Sequence, residues 1–270
     1  MTMRIWHQST TELDLLPGYA AMLAEHAERV TEPGVEVVLH GVDPGTYAQG
    51  VAPIDTAGFP LILALVDQQI IRNCVLAQEQ GYDAVAISCF RDPGVELARS
   101  LVDIPVISMC QSSLFVADTM GKRFALMGLD RHMETLLGDL VSDYGFDRRV
   151  ATITSPDKPL TEFELDGAFA DPLLLVERIE QDLRRLVSTG VDVIIPSEGV
   201  LNVLLVRAGL QHVGGVPVLD SWGSLLRYTM MLVELQRRTG LVVGRTGDYA
   251  SPPLETVRRL QQMGSDGWVG

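Results

Sequence analysis

A nine-residue stretch, Gly81-Tyr-Asp-Ala-Val-Ala-Ile-Ser-Cys89, returns 109 positions later as Gly190-Val-Asp-Val-Ile-Ile-Pro-Ser-Glu198. Glycine falls on glycine, Asp83 on Asp192, one apolar run on another, and Ser88 on Ser197. A second pair, Ile104-Pro-Val-Ile-Ser108 and Val216-Pro-Val-Leu-Asp220, follows in the same order with three residues inserted. More loosely, Arg4-Ile-Trp and Arg123-Phe-Ala-Leu open the two halves. A duplicated half-domain with pseudo-two-fold symmetry accounts for this order. The plain alternative is that Gly-x-Asp before an apolar run is common ahead of any α/β strand.

Between and around the repeats, short β-branched apolar runs alternate with amphipathic stretches. Strands are predicted at 3–7, 35–40, 84–88, 105–108, 124–128, 150–154, 193–195 and 216–219. Helices are predicted at 15–30, 61–80, 94–101, 113–120, 132–144, 173–189 and 225–238. That alternation implies an α/β fold with parallel sheets covered on both faces. Residues 42–58, rich in Gly, Pro, Asp and Thr, read as a loop, with a mobile cover as its expected role.

Composition closes several doors. The net charge is −14 and the arginine pairs lie far apart in the chain, so nucleic acid is not an expected partner. No consecutive apolar run reaches the roughly 18 residues of a spanning segment, so no membrane partner is expected. The opening Met-Thr-Met-Arg-Ile-Trp-His-Gln lacks the order of a signal peptide, and a cytoplasmic location is expected. Three cysteines make no disulfide framework, and no ligand spacing suggests a metal site.

In parallel sheets ligands bind outside the carboxyl ends of strands. Cys89 and Glu198 stand just past such ends, at equivalent places in the two halves. If the halves face each other, a thiol and a carboxylate point into one cleft. Phe90, Ser197 and Gly199 flank that pair. Gln8, Ser9 and Thr10 follow the first strand, Gln111, Ser112 and Ser113 follow the strand ending near Cys110, and Asp220 and Ser221 follow the last. All are candidate substrate contacts, although polar residues also cap helices at such positions. His7 reads either as a satisfied strand-end histidine or as a cleft residue, and Cys74 as core.

The stretch Tyr82-Asp-Ala-Val-Ala-Ile-Ser-Cys-Phe-Arg-Asp-Pro-Gly94 resembles the first cysteine motif of the hydantoin racemases, within the aspartate/glutamate racemase superfamily. Pro105-Val-Ile-Ser, Gly121-Lys-Arg-Phe-Ala-Leu-Met and Gly215-Val-Pro-Val-Leu-Asp220 fit the same family in order. The resemblance implies two Rossmann-like lobes, residues 1–112 with 220–270 and residues 113–219, with the active site between them. It also implies cofactor-free acid/base chemistry by two opposed cysteines on a carbon next to a carbonyl. Here the second of those positions is Glu198.

A thiolate is the reactive form of cysteine, and a helix starting near Pro93 is expected to lower the Cys89 pKa. Partial burial is expected to raise that of Glu198. The pair suits a racemase-type isomerase acting on a small hydantoin-like ring, amino acid or carboxylic acid. It also suits a hydrolase or lyase with Cys89 as nucleophile, and a sensor that keeps the fold without catalysis is a third reading. A homo-oligomer is expected, its tail from Gly240 packing on a neighbouring subunit.

Overall fold

The structure, a computed structural model, describes residues 2–263. Residue 1 and residues 264–270, the outer ends of the expected first lobe, lie outside that range.

Strands β1 (Met3–Gln8), β2 (Val35–His40), β3 (Ala84–Ile87) and β4 (Val106–Ser108) form a parallel sheet in the order β2-β1-β3-β4. Helices α1 (Pro17–Val30), α2 (Pro60–Glu79) and α3 (Val95–Leu101) connect them, and α4 (Met109–Met120) leads out. A second parallel sheet, order β6-β5-β7, holds β5 (Phe124–Met127), β6 (Val150–Thr154) and β7 (Val193–Pro196). Its helices are α5 (Arg131–Asp143), α6 (Glu162–Gly167), α7 (Leu173–Val187) and α8 (Gly199–Arg207). Beyond it lie a small antiparallel pair, β8 (His212–Val213) with β9 (Val216–Pro217), then α9 (Ser221–Thr239) and α10 (Leu254–Met263). The two sheets share one order, with the second truncated. Where β4 borders β3, the second sheet has only a parallel bridge between Val218 and Ile194.

The repeated Gly-x-Asp has a mechanical cause. Gly81 and Gly190 take φ of +74° and +76°, a left-handed conformation that ends the preceding helix. Asp83 then accepts the Arg4 N–H at 2.8 Å, and Asp192 accepts those of Lys122 and Arg123 at 2.8 and 3.0 Å. Each aspartate fixes the register of its strand against the first strand of its lobe. Asp83→Ala and Asp192→Ala should each lower the urea-unfolding free energy by about 1 kcal/mol. Asp83 should cost more, because it also pairs with Arg237 at 2.6 Å. Unchanged unfolding in both variants would contradict this role.

One apolar core runs through both lobes, from Ile5, Leu23 and Ala86 to Leu126, Ile195 and Leu204. A second cluster, including Trp6, Val66, Ile70 and Val85, fills the outer face of the first sheet under α2 and α3. Among the described residues α2 is the one helix long and apolar enough to cross a membrane. Its Val66, Ile70, Cys74 and Ala77 are packed in that outer cluster, and Cys74 is core as expected.

Two elements depart from the sequence reading. Helix α4 begins at Met109, directly after β4, rather than at Ser113. The strand expected at 216–219 shrinks to two residues and a bridge. Helix α3, expected at 94–101, runs Val95–Leu101 after Gly94 in the left-handed region, and a turn separates it from Cys89.

Candidate active site

Cys89 and Glu198 line one cleft between the lobes, with an empty volume of about 660 Å³ that includes solvent at its mouth. The first lobe contributes Ser9, Thr10, Thr11, Tyr19, Ser88, Phe90 and Arg91, the second Met133, Leu136, Glu162, Gly199 and Val200. The 42–58 loop supplies Tyr47, Pro53, Ile54, Thr56 and Ala57, so it walls the cleft. A buried carboxylate anchors it, Glu12 accepting the N–H groups of Gly45 and Tyr47 at 2.9 Å each.

Strand pairing places the two side chains. The Ser88 N–H donates to Gln8 and the Ser197 N–H to Met127, both at 2.8 Å, so each chain leaves its sheet at the same point. From there the two halves differ. Glu198 is the N-cap of α8: its carboxylate accepts the Leu201 N–H at 2.7 Å, and the Gly199 and Val200 N–H groups add to its stabilisation. Cys89 sits in a turn closed by the Asp92 N–H on the Cys89 carbonyl at 3.1 Å. Asp92 has a φ of 49°, rare for a residue with a side chain.

Asp92 explains why this turn holds. Its buried carboxylate accepts from Ser108 Oγ and Tyr144 Oη at 2.8 Å and from the N–H groups of Cys110 and Gln111 at 2.9 and 3.0 Å. It thereby caps α4 and ties the Cys89 turn to the second lobe. That cap is what starts α4 early.

Burial raises the Cys89 thiol above its ordinary range, opposed by the Arg91 guanidinium, the Thr10 hydroxyl and the Arg91 N–H. The net lowering expected from a helix start is not seen: α3 begins six residues beyond Cys89, at Val95, and burial outweighs the groups that favour the thiolate. Burial likewise raises Glu198, against the three N–H groups at the start of α8. Burial raises Glu162 too, with the Glu198 charge adding to it. Arg91 is the one cation lining the cleft among the described residues, and it is ion-paired with Asp67 at 2.5 Å.

Asp92 is pushed up to about 6 by the same desolvation. A carboxyl that holds its proton more tightly folded than unfolded stabilises the fold fully below its unfolded pKa, near 4. That stabilisation is lost as pH rises through about 6, on the order of 2–3 kcal/mol for Asp92 alone. Glu162 and Glu198 act in the same direction. The urea midpoint should therefore fall between pH 5 and pH 8, and a constant or rising midpoint would contradict the burial of these groups.

Of the residues singled out from sequence, Cys89, Glu198, Ser9, Thr10, Phe90 and Gly199 meet in the cleft. Gly199 is needed there, since a Cβ would lie 2.8 Å from Tyr19 Oη. The others are held elsewhere. Gln8 is fully engaged by Trp6, Asn73 and the carbonyls of Ser9 and Gly41. Gln111, Ser112 and Ser113 fall in the first turns of α4, where Gln111 takes Arg99 at 2.7 Å and Ser112 bonds the Met109 carbonyl. Ser197 turns back to the Ile195 carbonyl. Asp220 caps α9 and meets His26 at 2.8 Å, and Ser221 reaches the Pro196 carbonyl at 3.5 Å.

His7 is neither of the things expected of it: it is buried beside Trp222, lowered to about 3, and both ring nitrogens lack partners among the described residues. Among the described residues no cluster of three or more His, Cys, Asp or Glu is arranged to hold a metal.

Sequence reasoning missed Tyr19, Tyr47, Arg91 and Glu162. Arg91 lay inside the cysteine motif itself. For Glu162 a signal existed: Thr161 and Glu164 form a capping box that opens α6.

A family model described as Asp/Glu/Hydantoin racemase matches residues 18–229. A hydantoin racemase of Rhizobium meliloti is 30% identical over 185 residues, 66% of this chain and 70% of that protein. A hydantoin racemase of Pseudomonas sp. (strain NS671) is 28% identical over 177 residues, 63% and 66% of the two chains. Among solved structures, an allantoin racemase from Klebsiella pneumoniae superposes with a TM-score of 0.75 at 23% identity. That match covers 93% of this chain and 94% of the other. At that identity the likeness speaks to the fold.

Proposed function

Because this chain belongs to the Asp/Glu/hydantoin racemase family, we propose that it is an isomerase that inverts a carbon next to a carbonyl, with Cys89 and Glu198 as opposed acid and base. The observation that carries this reading is the placement of the two groups at equivalent strand ends, in one cleft, from opposite lobes. One group takes the α-proton from one face of the substrate carbon while the other delivers a proton to the opposite face. In the reverse direction the roles exchange.

Such a pair works best when neither group holds its proton much more strongly than the other. Free cysteine and glutamate differ by about four pKa units. Burial raises both groups, opposed at Cys89 first by the Arg91 charge and at Glu198 by the N–H groups that start α8.

The lining also favours one substrate class. Ile54, Leu63, Val66, Phe90, Met133, Leu136 and Val200 are apolar, two carboxyl groups lie on the second lobe, and the cation on the first is already paired. A dicarboxylate amino acid would meet repulsion without a counter-charge. An uncharged ring amide such as a 5-substituted hydantoin, its substituent against the apolar wall, meets neither cost.

Proton NMR in deuterated water tests this directly, with hydantoins, amino acids and substituted malonates offered in turn. Loss of the α-proton signal together with racemisation, for the hydantoins, is the expected result. New products without exchange in the remaining substrate would overturn it and favour Cys89 as a nucleophile.

A further inference from the structure

Glu162 stands in the cleft with only 4% of its surface exposed, and it comes from a segment far in sequence from either strand end. It opens α6, which packs on α8, the helix that Glu198 caps. One Glu162 oxygen accepts the Ile54 N–H at 3.2 Å, its bond to the covering loop. The two carboxyl groups thus share the second lobe's wall of the cleft. The cation lining the cleft, Arg91, is on the first lobe and engaged by Asp67.

We propose that Glu162 and Glu198 hold a single proton between them at neutral pH, so that the pair presents one carboxylic acid and one carboxylate to the cleft. The proposal rests on reading Glu198 as one of the two acid/base groups. Its physical basis is simpler. Two carboxylates on a water-poor wall, without a cation between them, do not both ionise, and the proton belongs to the pair.

Burial raises both groups, and the Glu198 charge raises Glu162 further. The other groups facing them do not reverse this. Asp55 on the loop adds negative charge. The phenols of Tyr19 and Tyr47 are themselves pushed up by burial and by the nearby acids, so they stay neutral. Opposing the protonated form are the N–H groups of Ile54 and of the first turn of α8, which are dipoles rather than charges. Glu162 is accordingly a positioning residue: by taking up or releasing the shared proton it sets the protonation of Glu198.

The test is an infrared pH titration of protein carrying ¹³C only in its glutamate side-chain carboxyls, which leaves Asp92 silent. One protonated glutamate at pH 7 is expected. Glu162→Gln and Glu198→Gln should each lower the midpoint of the surviving partner by about one pH unit or more, because each removes the like charge the other feels. In Glu162→Gln the new amide oxygen can still accept the Ile54 N–H, and circular dichroism checks that the variant folds. In kinetics, Glu162→Gln should move the limb of the kcat/KM profile set by Glu198 to lower pH, and Glu162→Asp should restore it.

Unchanged midpoints in both variants, or no protonated glutamate at pH 7, would overturn the proposal. A shared proton in a protein that exchanges no α-proton on any substrate would uphold the pair and reject the acid/base role of Glu198 instead.

Discussion

Cys89→Ala should abolish racemisation, lowering its kcat/KM by about 10³-fold, the usual scale for removing a general acid or base. Both directions fail, because inversion needs one group on each face of the carbon. The diagnostic result is finer. The enantiomer whose α-proton faces Cys89 should stop exchanging with deuterated water, while its mirror image still loses a proton to Glu198 and regains deuterium on the same face. The side chain is half-buried in a turn whose hydrogen bonds are made by backbone and by Asp92, so alanine leaves the turn intact. Chiral chromatography paired with NMR exchange checks both points. Equal exchange of the two enantiomers in this variant would mean that Cys89 is not one of the bases.

Glu198→Gln should give the opposite picture. Racemisation falls by about 10²–10⁴-fold, and exchange survives only for the enantiomer that faces Cys89. The amide oxygen still caps α8, so the cost in stability should stay within about 1 kcal/mol. A variant that racemised at the wild-type rate would reduce Glu198 to a helix cap, the role its bond to the Leu201 N–H already performs.

The repeat made the architecture readable before any coordinates. Gly81 and Gly190 need a left-handed turn, Asp83 and Asp192 need backbone donors, and the apolar runs need cover on both faces. Those are local demands, and they place Cys89 and Glu198 at strand ends without further information. What stayed hidden depends on contacts between distant segments. The start of α4 is set by Asp92, 17 positions before Met109, through a cap that no local pattern announces. That shift took Gln111, Ser112 and Ser113 out of the cleft. Glu162 becomes a cleft residue only because α6 packs on α8. Gln8 sits at a strand end, as expected of a cleft residue, but the alternation of side chains turns it to the Trp6 and Asn73 side of the sheet.

The two halves have kept the same strand order but not the same exit: Cys89 stands in an open turn, and Glu198 is fixed on a helix start. A racemase with such unlike faces has no reason to turn over mirror-image substrates at equal speed. Yet the equilibrium constant between enantiomers in water is one. Any ratio of kcat values in the two directions must then be matched by the same ratio of KM values. The asymmetry between Cys89 and Glu198 would be visible in how tightly each enantiomer is held and how fast it turns over once saturated, and it would vanish from the quotient of the two.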